Sequence, residues 1–283
     1  MFELKVKNNK GEVLNLSTSN SYDVYKITGL TPPKASVSSS ANSTSDGSSV
    51  NNIRVPNRNI VIYAAINGDI EANRINLYKY FPLKKTVTLY FSNGTRDVFI
   101  EGTVELIECD LFANKRETAQ ISLICSKPYF KDVEYLVTSF SDISSLFEFP
   151  FSIPASGIEF SALTTNLRKS IINAGDIDTG VIIELFAIGT VVNPILYNVM
   201  TGKRMAFNFT MLPSDTIEIN TNVGEKAITL IRNGVRTNAL GYMTPDSDWF
   251  KLENGDNVFT YEATSGTSNL QITFTSAVLY GGV

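Results

Sequence analysis

The stretch Val87-Thr88-Leu89-Tyr90-Phe91-Ser92-Asn93-Gly94-Thr95-Arg96-Asp97-Val98-Phe99-Ile100 decides the fold class. Apolar residues alternate on both sides of an Asn-Gly pair, which is the pattern of two strands joined by a tight turn. The same grammar spreads outward. Gly68-Asp69, Gly175-Asp176, Asn233-Gly234 and Asn254-Gly255 punctuate further short runs of alternating or β-branched residues. Ile60–Ile66 reads as a strong strand, and Val98–Ile100 with Val104–Ile107 continues the sheet around Gly102, where a bulge is expected. Ala72, Ile75, Leu77 and Tyr78 depart to a helical period that Pro82 stops. The short strands from 181 to 274 follow one another without helices, which predicts a two-sheet sandwich or jelly roll.

The length of 283 residues suits two all-β domains. The polar stretch from 130 to 145 reads as the linker. The expected domains are therefore 1–135, barrel-like with one short helix, and 136–283, a sandwich opened by Phe147, Phe149 and Phe151 alternating on one face. Residues 36–52, rich in Ser, Asn and Thr, read as a long mobile loop. Such a loop is either plainly disordered or an arm that orders against a partner subunit.

Composition narrows the chemistry. The chain has no histidine, which removes Ser–His–Asp and Cys–His catalysis, most zinc ligation and the usual general base near neutral pH. Cys109 and Cys125 are too few for a disulfide framework and read as small core residues with free thiols. Among the carboxylates Asp69, Glu101, Glu105, Glu108 and Asp110, nothing places a pair at the separation a glycosidase needs. No phosphate-cradling glycine loop or calcium loop is present. The expectation is a non-enzyme with no catalytic residue, metal or cofactor. With a net charge of −4, binding to nucleic acid through phosphate neutralisation is not expected. No apolar run is long enough to cross a membrane and the N-terminus does not read as a signal peptide, so folding in the cytoplasm is expected.

Several pieces stand in a telling order: Gly68-Asp69, then Asn73-Arg74-Ile75-Asn76-Leu77-Tyr78-Lys79-Tyr80-Phe81-Pro82, then Leu89-Tyr90-Phe91-Ser92-Asn93-Gly94. Ile100-Glu101-Gly102-Thr103-Val104-Glu105, Ile121-Ser122-Leu123-Ile124-Cys125 and Pro128-Tyr129-Phe130 follow. The second half adds Asn193-Pro194-Ile195-Leu196-Tyr197-Asn198, Thr201-Gly202-Lys203, Trp249-Phe250-Lys251-Leu252, Gly255-Asp256-Asn257 and Tyr280-Gly281-Gly282-Val283. Over nearly its whole length the chain resembles the distal tail protein family of long-tailed phages, in the form common among phages of Gram-positive hosts.

That resemblance implies a virion protein of the tail tip, assembled in the host cytoplasm. Its N-terminal domain would form a homohexameric ring and its C-terminal domain a galectin-like β-sandwich outside it. The ring would join the tail tube protein to the tail-associated tip protein and offer a platform for receptor-binding proteins. DNA would pass through the lumen without specific binding. The alternative in another class is a carbohydrate- or host-receptor-binding tail protein. A galectin-type sugar site, however, relies on a histidine that this chain lacks. Trp249 reads instead as core or rim packing.

A ring subunit needs apolar contact area beyond its own core. Tyr22, Tyr25, Tyr78, Tyr80 and Phe81 are the aromatic candidates, with Glu71 and Arg74 as charges able to set register between copies. Helix-on-sheet packing inside the subunit and ordinary surface charge are the alternative readings of the same residues.

Overall fold

The computed structural model describes residues 2–17, 19–111, 117–145, 161–165 and 168–283. The expected alternation of Phe147, Phe149 and Phe151 lies outside the described residues. The chain divides into two units: Met1–Val133 with Leu279–Val283, and Glu134–Val278.

Unit 1 holds β1 (Glu3–Lys7), β2 (Val13–Asn15), β3 (Tyr22–Thr28), β4 (Ser36–Ala41), β5 (Ser48–Arg54), β6 (Arg58–Ile66), α1 (Ile70–Tyr80), β7 (Thr86–Ser92), β8 (Asp97–Cys109) and β9 (Glu117–Cys125). The deciding stretch is the β7–β8 hairpin, with Leu89 opposite Ile100 and Phe91 opposite Val98. Val87, Leu89 and Phe91 all point inward, as alternation demands. The long strand β8 serves two runs of sheet. Its first half continues β2-β1-β7, and its second half leads through β9 and β6 to β3. Among the described residues nothing pairs β2 with β3, so the expected barrel is an open sheet curled around its core rather than a closed ring of strands.

The bulge stands slightly beyond its expected place. The register shifts between Val104 and Leu106, not at Gly102. Gly102 answers a different need: a Cβ there would come within 3.1 Å of both Cys125 Sγ and Leu123 Cβ. Cys125 is fully buried and burial pushes its thiol up to about 11, so it stays a protonated core residue. Cys109 is free too, but only half-buried.

The helix is α1, capped by Asp69, whose Oδ1 accepts from the Ala72 amide at 3.2 Å. Only Leu77 is fully buried on it, and Ile75 faces outward. Asp69→Ala is expected to cost unit 1 about 1 kcal/mol through loss of this cap, read as a lower urea midpoint in far-ultraviolet circular dichroism.

Two expectations need correcting. Residues 36–52 are not a loop: β4 and β5 form an antiparallel hairpin with Val37 opposite Ile53. The stretch 130–145 is not a linker, because β10 (Phe130–Ser139) and β11 (Ser141–Ser145) run through it. Its charged residues ride on strand β10, beginning from a fully buried Phe130.

Unit 2 is the expected sandwich. After β12 (Ser161–Thr165), which pairs with β11, come β13 (Arg168–Asn173), β14 (Ile182–Ala187), β15 (Val191–Asn198), β16 (Arg204–Ala206), β17 (Thr210–Met211), β18 (Thr216–Asn220), β19 (Ala227–Arg232), β20 (Val235–Asn238), β21 (Gly255–Ser265) and β22 (Leu270–Tyr280). One sheet runs β22-β14-β18-β19-β20. The other has β21 between β13 and β15, with β16 and β17 beyond. Their inner faces meet in a core that includes Ile183, Leu185, Ile217, Ile219, Phe259 and Phe274. Glu184 alternates outward in β14, as its place between Ile183 and Leu185 requires.

Asp215 closes a turn at the rim of this core. Its Oδ2 accepts from the Leu212 amide at 2.7 Å and from Arg232 Nη2 at 2.5 Å, and its Oδ1 accepts from Arg232 Nε at 2.8 Å. Burial alone would raise its carboxyl, but the Arg232 guanidinium and the Leu212 amide outweigh burial and hold it below the usual carboxylate range. A lowered folded-state value means stability that is present above the unfolded value near about 3.9 and lost as pH falls through the folded value. Asp215→Asn should therefore destabilise unit 2 at pH 7. The gap between variant and parent should shrink below about pH 4, read from urea midpoints across pH.

Candidate interaction surface

The seven residues singled out from sequence differ in exposure. Tyr22 and Phe81 lie inside unit 1, at 3% and 0% exposure. The Tyr22 hydroxyl donates to the Asn73 carbonyl at 2.9 Å and accepts from Asn76 Nδ2 at 3.2 Å, so its polar tip is satisfied by α1. Both rings fasten the helix to the sheet and are withdrawn as interface residues. Tyr80 is half-buried, with Lys79 Nζ 5.5 Å from its ring centroid.

Tyr25, Glu71 and Tyr78 do reach the surface. Tyr25 is 56% exposed on β3, with its ring 6.4 Å from that of Tyr63. Arg74 donates to Glu71 and to the Tyr78 hydroxyl, and its guanidinium carbon stands 5.7 Å from the Tyr78 centroid. The Glu71 hydrogen bond raises the Arg74 pKa, and the same pair lowers that of Glu71. The structure thus brings Glu71, Arg74 and Tyr78 together on one helix face and places Tyr25 on the outer face of the sheet. There a groove of about 590 Å³ is lined by Tyr25, Tyr63, Glu108, Asp110 and Gln120 among others.

Two features escaped the sequence reading. β3 pairs only with β6 among the described residues, so its other edge is open. Among the described residues the β4–β5 hairpin pairs with no other strand, and all its residues are exposed. Val37 stands opposite Ile53, and Ser39, two residues on, stands opposite Val50. A register shift between Ser38 and Ser39 brings Val50 into phase with the other two. The arm therefore carries an apolar trio on one side with nothing of its own unit to cover it. A two-stranded hairpin alone in water is marginally stable. Bare strand edges and bare apolar faces are what proteins use, or must guard against, in pairing with other chains.

In unit 2, Trp249 is half-buried against the core with Lys226 Nζ 5.2 Å from its ring centroid, which makes it a rim residue. Among the described residues no group of three or more His, Cys, Asp and Glu could hold a metal ion. No helix among them is long and apolar enough to cross a membrane.

Residues 174–277 match the family model described as siphovirus-type tail component, C-terminal domain. The C-terminal part of the chain is therefore similar to that domain of siphovirus-type tail components. The whole chain shares its fold with the Dit (gp 19.1) protein of SPP1, whose crystal structure is described as a paradigm of the hub adsorption apparatus in Gram-positive infecting phages. The TM-score is 0.67 at 13% identity, over 98% of this chain and 99% of that one. A chain of the phage P2 baseplate, solved in its activated conformation with Ca, matches with a TM-score of 0.52 at 13% identity over 98% of both chains. No curated protein sequence matches the chain. At 13% identity these two structures show a shared fold.

Proposed function

We propose that this chain is a tail component, the ring-forming hub at the distal end of the tail of a phage with a Gram-positive host, and that it works by assembly rather than by catalysis. Unit 1 closes a homohexameric ring head to tail. The ring joins the tail tube protein to the tail-associated tip protein, and DNA passes through its lumen without specific binding. Unit 2, facing outward, is the platform for receptor-binding proteins. The protein folds and assembles in the host cytoplasm.

The observation that carries this reading is that one unit holds both an exposed β4–β5 arm and an open β3 edge. A head-to-tail contact that closes needs two different, complementary surfaces on each copy. Unit 1 has both: an arm with an uncovered apolar side and, among the described residues, a strand edge that no other strand pairs with. Tyr25 on that edge strand, and Glu71, Arg74 and Tyr78 on α1, are the further residues assigned to the contact. The absence of histidine and the fold shared with hub proteins favour a structural role. Labelling a tag fused to unit 2 in purified virions is the test. Label at the junction beneath the tube supports the reading, and label along the tube or at the head refutes it.

A further inference from the structure

Arg58 is 3% exposed, and its guanidinium is held by main-chain carbonyls. Nε donates to Pro128 O at 2.6 Å, Nη1 to Gly29 O at 2.7 Å and Thr31 O at 3.2 Å, and Nη2 to Gly281 O at 2.5 Å. Its carbon lies 4.6 Å from the Phe130 ring centroid. Three of these acceptors lie in the first 133 residues, while the fourth comes from the segment that returns to unit 1 after unit 2. A second arginine grips the same segment: Arg96 Nη1 donates to Gly282 O at 2.5 Å, and its guanidinium carbon lies 4.2 Å from the Tyr280 centroid. The Tyr280 hydroxyl donates to Asp132 Oδ2 at 3.1 Å and the Val283 amide to Leu30 O at 3.1 Å. Gly282 fits because it has no side chain: a Cβ would come within 2.8 Å of Pro32 Cδ and 3.0 Å of Pro32 N.

We infer that residues 279–283 are a strap that withholds the full stability of unit 1 until unit 2 and the strap itself have been made. A buried guanidinium with one of its donors unmet is costly, so without Gly281 the Arg58 head must stay hydrated. Hydrating it loosens the start of β6 and the 29–32 turn, and β6 carries both β3 and β9. Unit 2, residues 134–278, must be synthesised first, which takes about 7–30 s at bacterial rates. Because the ring reading puts the assembling surface on unit 1, the strap also makes assembly conditional on a chain made through residue 283. That second consequence rests on the ring reading, whereas the first does not.

Hydrogen exchange on the full-length chain tests the strap. Gly282→Val should push the segment off Pro32, seen as fast exchange of the Val283 amide. Amides of β3, β6 and β9 should then exchange roughly tenfold faster or more, while β14 and β18 of unit 2 keep their protection. If Gly282→Val gives no soluble protein, Arg96→Gln loosens the strap without added bulk and carries the same readout. A released Val283 amide with unchanged β6 protection overturns the inference. So does a strap that stays seated in both variants. Light scattering on the same samples separates the two claims. A parent chain that never associates refutes the ring reading and leaves the exchange result standing.

Discussion

Replacing Phe259 by alanine is expected to lower the stability of unit 2 by about 4 kcal/mol, within the range for truncating a buried phenylalanine. Phe259 is fully buried, and its ring lies 4.7 Å from that of Phe274 and 5.5 Å from that of Phe250. Its strand, β21, is paired on both sides, with Lys169 opposite Phe259 on β13 and Asn198 opposite it on β15. A site held between two neighbours in one sheet and roofed by a second sheet collapses poorly, so most of the deleted volume stays as a cavity. Phe259→Leu keeps much of that volume and should cost about 1.5 kcal/mol. Trp249 is the one tryptophan of the chain and packs on this core, so its fluorescence reports unit 2 alone. The alanine variant should show a urea midpoint lower by about 2 M at an ordinary slope for a domain of this size. An unchanged midpoint would mean that the two sheets do not share the core described.

The second large effect is on association. Changing Val37, Val50 and Ile53 together to serine should weaken self-association roughly a hundredfold while leaving the monomer's stability within about 0.5 kcal/mol. Each of these side chains is more than half exposed. Fully burying one is worth about 1.5–3 kcal/mol, and because part of each is already shielded, about 3 kcal/mol of apolar burial is available at each contact between copies. Val223→Ser, at a still more exposed valine on unit 2, is the control and should change nothing. Sedimentation of parent and variants over a concentration series reads both numbers. Equal association of parent and triple variant would remove the arm from the contact.

The two halves of the sequence differ in what they disclose. The β7–β8 hairpin was legible because every inward position is apolar and Asn93-Gly94 marks the reversal; the Asn93 side chain indeed accepts from the Thr95 and Arg96 amides. The unit 2 strands were legible for the same reason. The β4–β5 hairpin was not, because strand reading looks for a buried face, and this hairpin has none within its own unit. Its order comes from backbone ladder bonds, to which Ser and Asn contribute no recognisable pattern. On α1 the helical period was visible, yet which side would face β6 was not. Hence Tyr22 and Phe81 were offered as surface when they are the fasteners of the helix. Residues 130–145 misled because Lys131, Asp132 and Glu134 give a strand the composition of a linker. The Arg58–Gly281 contact joins positions 223 residues apart, and no local pattern could announce it.

The most direct test of the assembly account is the mass of the purified full-length chain in solution, by light scattering over a concentration series followed by negative-stain imaging. The account predicts closed rings of about six copies of the 31.1 kDa chain, with a central hole. A strict monomer at every concentration, with no ring in the images, would contradict it.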